Sequence, residues 1–183
     1  MDDRVEQVVL VDRSDVALGN GPKLDVHREG SLHRALSVIV RDLDGRILLQ
    51  KRHASKYHSG GLWTNACCSH PRPDEHVSAA ATRRLREEMG VECTVQPLVQ
   101  VIYRAEVGNG LVEHEFVHVF AGRWSGPVRP DPAEADGYDW IEPEALRADL
   151  SQAPHRYSVW FRMYCAEHWD LIAGSSSPQG WTR

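Results

Sequence analysis

A chain of 183 residues with 42% hydrophobic content can bury one sizeable core and is short for two, so a single domain is expected. Its 21 basic residues against 26 acidic ones give a net charge of −5, which excludes a broad nucleic-acid-binding face and leaves only local cation clusters for anion contacts. No apolar run is long enough to cross a bilayer, and the start Met1-Asp2-Asp3 lacks the basic and apolar regions of a signal peptide. No membrane partner and a cytoplasmic location are therefore expected. The four cysteines, Cys67, Cys68, Cys93 and Cys165, show no metal-finger spacing, and thiols in a reducing compartment are the simpler reading than disulfides. The oligomeric state has no signature in the sequence.

In chain order, Val8–Val11 and Val16–Leu18 flank the turn-like Asp12-Arg13-Ser14-Asp15 and read as two short strands. A polar loop is expected from Gly19 to about Leu32. Ala35–Val40 and Ile47–Leu49 bracket Asp42-Leu43-Asp44-Gly45, the signal of a hairpin between paired core strands. Leu62 to Pro71 is expected to form a turn that opens a helix. From His76 to Met89 the residues Val77, Ala81, Leu85 and Met89 recur every fourth position, with Gly90 as the stop, which predicts a helix. Strands follow at Val99–Ala105, Leu111–Ala121 and Tyr138–Ile141, then a short helix over Pro143–Ala148 and a last helix over Ser158–Ile172. The domain is expected to span residues 1–173, and the Gly/Ser-rich residues 174–183 have the composition of a disordered end.

Within Leu62–Pro71 the thiol of Cys68 stands two residues before the imidazole of His70. Either side chain by itself is more ordinary than functional, since buried Cys packs as a small hydrophobe. Distant residues strengthen the segment. Strand periodicity sends Glu113 and Glu115 to one face with Leu111, Val117 and Val119. Two carboxylates buried there would cost several kcal/mol each unless compensated, and a bound cation compensates both. An edge strand with wet glutamates is the alternative. His27, His33 and His70 can supply neutral ligands. Three imidazoles with two carboxylates suit Mn²⁺, Mg²⁺ or Zn²⁺, the nitrogens favouring transition metals. Spacing alone does not sort the remaining histidines, including His53, His58, His76, His114 and His118.

Residues 75–91 resemble a Nudix box: Glu75, seven residues, then Arg83-Arg84-Leu85-Arg86-Glu87-Glu88-Met89-Gly90-Val91. Arg84 fills a slot that the box gives to glutamate, and Ser69 stands where its opening glycine belongs. On a helix, Arg84 and Glu88 share a face, so a guanidinium replaces part of the carboxylate cluster with which hydrolases of this type gather divalent ions. Glu87 fits equally well as a surface partner of Arg83.

Further motifs narrow the resemblance. Lys23-x-x-x-His27 with Leu32-His33, then Arg52 and Lys56, Trp63-Thr64-Asn65 through Cys68-x-His70-Pro71, Tyr103-Arg104-Ala105, Glu113-x-Glu115, and Tyr157-Ser158-x-Trp160 together resemble the type 1 isopentenyl diphosphate isomerases over roughly Val8 to Ala173. The resemblance implies an α+β fold, a single Nudix-like domain with mixed β-sheets flanked by helices. It implies Cys68 and Glu115 as the catalytic pair, and one metal ion, Mn²⁺ or another divalent transition metal, held by His27, His33, His70, Glu113 and Glu115. A Mg²⁺ held by Glu88 and the backbone carbonyl of Cys68 would bridge to the substrate diphosphate. Lys23, Arg52 and Lys56 would contact that diphosphate, with Arg84 a fourth cation. Tyr103 would hydrogen-bond beside Glu115, and Trp160 would offer its face to a carbocation. The expected partner is a small C5 diphosphate, protonated by Glu115 and deprotonated by Cys68, with roles reversed in the reverse reaction. Position selects Cys68 over Cys67, whose expected role is packing. A Nudix diphosphate hydrolase and a non-catalytic metal- or diphosphate-binding module are the competing readings.

Overall fold

The computed structural model describes residues 6–175. The chain runs β1 (Gln7–Val11), β2 (Ala17–Pro22), α1 (Lys23–Glu29), β3 (His33–Arg41), β4 (Ile47–Arg52), β5 (Trp63–Asn65), β6 (Cys67–Ser69), α2 (Val77–Met89), β7 (Val95–Gly108), β8 (Leu111–Arg123), β9 (Ala135–Ile141), α3 (Pro143–Gln152), a 3-10 turn at Pro154–Arg156, α4 (Val159–Glu167) and α5 (Trp169–Ala173). The expected C-terminal tail falls, from residue 176 on, outside the described residues. Among those described, no helix is long and apolar enough to cross a membrane.

The sheet is mixed, as expected. β8 lies antiparallel to β7 and parallel to β3. β3 also pairs antiparallel with β6, while β4 pairs antiparallel with β5 and β9. Alternation along β3 divides the interior in two. Ala35 and Ile39 pack with Val117, Val119 and the helical Trp160, Phe161 and Tyr164. Leu36, Val38 and Val40 pack with Ala80, Ala81, Leu85 and Met89 of α2. A fully buried Leu, Ile or Phe contributes about 1.5–3 kcal/mol, against about 0–1 for an exposed ion pair. These two cores therefore set where the helical layers sit, with α2 on one face and α3 to α5 on the other.

Four local expectations change. The polar segment after Gly19 contains α1, which follows Pro22, buries Val26 and His27, and stops at Gly30 in the left-handed region (φ 68°). A Cβ at Gly21 would stand 2.7 Å from Val26 Cγ2, so a glycine there lets α1 lie close on β2. The segment predicted to open a helix instead forms β5 and β6, its backbone hydrogen bonds taken by β4 and β3. The Asp42–Gly45 turn is present, Asp42 Oδ1 accepting from the backbone N–H groups of Asp44 and Arg46. Its strands, however, pair only at Arg41↔Ile47 before each turns to other neighbours. The last helix breaks at His168, whose non-helical backbone separates α4 from α5.

Candidate active site

Adjacent cysteines point to opposite cores because β6 alternates like any strand. Cys67 lies opposite Val38 and Cys68 opposite Ser37, so Cys67 is sealed against α2 while Cys68 turns toward a cavity between the sheet and α4. Asn65 makes this turn, its side-chain N–H groups donating to the carbonyls of Val38 (3.0 Å) and Cys67 (2.9 Å). Its Oδ1 accepts from Cys68 Sγ at 3.1 Å. Thr64 Oγ1 accepts from Ser158 (2.9 Å) and from the Trp160 indole N–H (2.8 Å), which docks the start of α4. The same indole N–H lies 3.0 Å from Cys68 Sγ, and Ser37 Oγ lies 3.2 Å from it. Burial pushes the Cys68 thiol up to about 12, against the hydrogen bond from Ser37. Ser69 is not among the described non-glycine residues with positive φ, so the chain needs no glycine there.

On β8, Glu113 and Glu115 are both buried on the face with Leu111, Val117 and Val119, which removes the wet-edge alternative. Tyr103 of β7 lies opposite Glu115, and its hydroxyl meets Glu113 Oε2 at 2.7 Å and Glu115 Oε2 at 2.8 Å. A phenol has one proton to donate, so one of the two contacts requires a proton on a carboxyl. Burial and then the charge of Glu115 raise Glu113. Burial also acts on Glu115, but the neighbouring His33 and His70 imidazoles hold it well below the usual carboxylate range. His70 Nε2 stands 3.1 Å and His33 Nε2 3.6 Å from Glu115 Oε1.

His27 and His33 are fully buried. Each has its Nδ1 on a backbone oxygen, Lys23 O at 2.7 Å and Ser31 O at 2.9 Å. Each leaves a buried Nε2 with no partner. Buried polar atoms are rarely left so; an imidazole oriented through Nδ1 with an idle Nε2 is the form a metal-binding histidine takes. Burial, then His70 and His33, drives His27 down to about 4, so it is neutral and its lone pair available. Ligand atoms of His27, His33, His70 and Glu115 lie within 4.8 Å of one another, and a second set joins His27 to His58 and Glu113. These donors fit a divalent ion.

The cavity is lined by Lys23, Arg52, Lys56, Arg84 and Glu88 together with Cys68, Tyr103, Glu113, Glu115 and Trp160, with Lys23, Lys56 and Arg84 more exposed than the buried glutamates. Lys23 Nζ pairs with Glu6 at 2.9 Å. Lys56 makes a short ion pair with Glu134, which Arg84 also reaches at 3.2 Å. Arg84 lies 2.8 Å from Glu88 and from Glu87, and Glu87 also meets Arg83. The second oxygen of Glu88 accepts from Gln50 at 2.9 Å. The Arg52 guanidinium sits 5.2 Å over the Trp160 ring.

The NUDIX domain model matches residues 31–162. The chain is 53% identical over 155 residues to isopentenyl-diphosphate Delta-isomerase 1 of Aromatoleum aromaticum, covering 85% of this chain and 88% of that protein. The chain belongs to the isopentenyl-diphosphate Delta-isomerase family of NUDIX-domain proteins. A second member, isopentenyl-diphosphate Delta-isomerase of Burkholderia multivorans, is 48% identical, covering 85% of this chain and 89% of its own length. Among solved structures, DR0079 of Deinococcus radiodurans superposes with a TM-score of 0.68 at 21% identity, covering 81% of this chain and 90% of that one, a likeness of fold alone.

The isomerase-type residues expected from sequence all line this cavity or its buried histidine cluster. Sequence reasoning missed His58, Glu134 and Gln50. Glu134 follows Pro132-Ala133 in a stretch with no periodic pattern, and Gln50 stands just past the expected Ile47–Leu49 strand with no motif to mark it. His58 was one unsorted histidine among several.

Proposed function

We infer that this protein interconverts isopentenyl and dimethylallyl diphosphate by moving a proton on and off an allylic skeleton. The observation that carries the reading is that one buried cavity is lined by a thiol, a carboxylate and an indole, together with a group of cations. The cations suit the diphosphate: Arg52 and Arg84 offer forked donors and Lys23 and Lys56 compact charges. Held by its head group, the substrate extends its alkene inward. Glu115 delivers a proton to the terminal alkene carbon, leaving a tertiary carbocation. Cys68 takes the proton from the carbon beside the one bearing the diphosphate, completing the shifted double bond. Water must be excluded while the cation exists, and the buried Trp160 and Tyr164 serve that purpose. The Trp160 face attracts positive charge, as its Arg52 contact illustrates, and such attraction contributes up to about 2 kcal/mol when desolvated.

The divalent metals follow from the family and from the fitting donor sets. When bound, a transition ion such as Mn²⁺ among His27, His33, His70, Glu113 and Glu115 would set the acidity of Glu115, and a Mg²⁺ beside Glu88 and the Cys68 carbonyl would neutralise diphosphate charge. Before any metal binds, burial raises the Cys68 thiol and the neighbouring imidazoles lower Glu115, which favours a protonated Cys68 and an ionised Glu115. That is the charge state left by the forward reaction and the one that starts the reverse. Each forward turnover therefore requires the pair to exchange protons with solvent.

Purified protein given isopentenyl diphosphate, Mg²⁺ and Mn²⁺ in heavy water tests the reading by NMR. Dimethylallyl diphosphate carrying solvent deuterium, with no phosphate released, is the expected result. Release of phosphate would favour a hydrolase, and an unchanged substrate would favour a binding module.

A further inference from the structure

The isomerase resemblance implies three imidazoles in the metal centre. The geometry points to a fourth: we propose that His58 is a ligand of the same transition-metal ion. The inference rests on reading the buried histidine and glutamate cluster as a metal centre.

His58 is buried, 6% exposed, in the connection between β4 and β5. Its ring stacks toward His27 with centroids 6.1 Å apart and meets the Trp160 ring edge-on at 5.9 Å. Its Nε2 stands 3.3 Å from Glu113 Oε1, and ligand atoms of His58, His27 and Glu113 all fall within 4.8 Å of one another. His27 belongs to both this set and the set with His33, His70 and Glu115. With its Nδ1 on the Lys23 carbonyl, His27 has one nitrogen left for a metal. A single ion on that nitrogen therefore draws on both sets.

The orientation of His58 repeats that of the other two histidines. His27 and His33 hold Nδ1 on a local backbone oxygen and leave Nε2 without a partner; His58 has Nδ1 3.3 Å from the neighbouring Ser59 hydroxyl and turns Nε2 to the Glu113 carboxylate of the same cluster. Ser59 adopts a left-handed backbone (φ 51°), uncommon for a non-glycine residue, in the bend that follows His58. A partner that fixes one ring nitrogen and frees the other is the usual support of a metal-binding imidazole. Four imidazoles with the carboxylates of Glu113 and Glu115 make a nitrogen-rich, charge-neutral site for a divalent ion. Such a site favours the later transition metals over Mg²⁺ more strongly than a three-histidine site does.

The test uses Co²⁺ alone as probe on the whole protein, stripped of metal and reloaded, with X-ray absorption counting imidazole ligands and equilibrium dialysis giving affinity. Wild-type protein is expected to show four imidazoles. His58→Gln is expected to show three and to bind Co²⁺ at least about tenfold more weakly, whereas His53→Gln, outside both sets, should match wild type. Three imidazoles in the wild type overturns the assignment, and this count requires no variant to fold. Weaker binding by His58→Gln with an unchanged imidazole count also overturns it, leaving His58 as a hydrogen-bond partner of Glu113. No Co²⁺ uptake by the wild type would instead refute the metal-centre reading itself, while turnover of isopentenyl diphosphate reports separately on the isomerase reading.

Discussion

At the outer part of the cavity, Lys23, Lys56 and Arg84 each have a carboxylate within reach, and their side chains keep 12%, 21% and 15% of their surface exposed. In the inner cluster, His33 is fully buried and Glu113 and Glu115 face a shared tyrosine among imidazoles whose ring nitrogens include His27 Nε2 and His33 Nε2 without a hydrogen-bond partner. The first region pairs its cations with carboxylates, and the second gathers carboxylates around neutral rings. On the proposed reading, an incoming diphosphate takes the places of Glu6 and Glu134, exchanging one set of ion pairs for another. The inner cluster offers carboxylates and imidazole lone pairs that a bound cation would satisfy together. One cavity thus joins an exchangeable anion site to a site suited to a cation.

The largest expected effect breaks the inner region. Glu115→Gln keeps the shape and, on the proposed roles of Glu115 as acid and ligand, should lower turnover by about 10³-fold or more, in line with loss of an essential acid–base group, with Mn²⁺ affinity falling alongside. Glu113→Gln should chiefly weaken metal binding. The pH dependence of stability sharpens the same contrast. Burial, then the charge of Arg52 and His27, lowers His58 to about 2, and burial with His70 and His33 lowers His27 to about 4. Because the unfolded chain takes up these protons first, stability is full above about pH 6.5 and falls as pH drops from there toward 4. Chelator-treated protein should lose on the order of 3 kcal/mol for each imidazole over that range by urea denaturation. A flat profile would mean that these imidazoles are not buried neutral.

Between the two regions stands Trp160. Trp160→Phe should retain about tenfold more kcat than Trp160→Leu if the ring stabilises positive charge; equal losses would assign it to packing. The smallest effect belongs to the outer region. Glu134→Gln should lower KM for the diphosphate severalfold at unchanged kcat by releasing Lys56 and Arg84 from a competing carboxylate. An unchanged KM would show that Glu134 does not compete with substrate.

Much of this arrangement is legible in the sequence. The repeat Val77, Ala81, Leu85 and Met89 placed α2, and with it the Arg84–Glu88 contact that helical spacing requires. Alternation along β8 placed Glu113 and Glu115 on one face, though burial of that face had to be seen. α1 was hidden because seven residues burying only Val26 and His27 carry no periodic stripe. β5 and β6 were misread as a turn entering a helix because three-residue strands depend on partners far along the chain. His58 was hidden for the same reason. Its meaning comes from Glu113 and His27, distant in sequence, and no local spacing relates them. Gln50 and Glu134 gained their roles through contacts with Glu88 and with Lys56 and Arg84, which again only the folded chain brings together.

The neighbouring cysteines offer the most direct test of the central claim that the reactive thiol is the one turned toward Glu115's cavity. Cys68→Ala and Cys67→Ala should be assayed side by side for isopentenyl diphosphate turnover, with folding checked by circular dichroism. Loss of about 10³-fold or more in Cys68→Ala, with Cys67→Ala within severalfold of wild type and merely less stable, is the predicted result. Full activity in Cys68→Ala, or its loss in Cys67→Ala alone, would contradict the account.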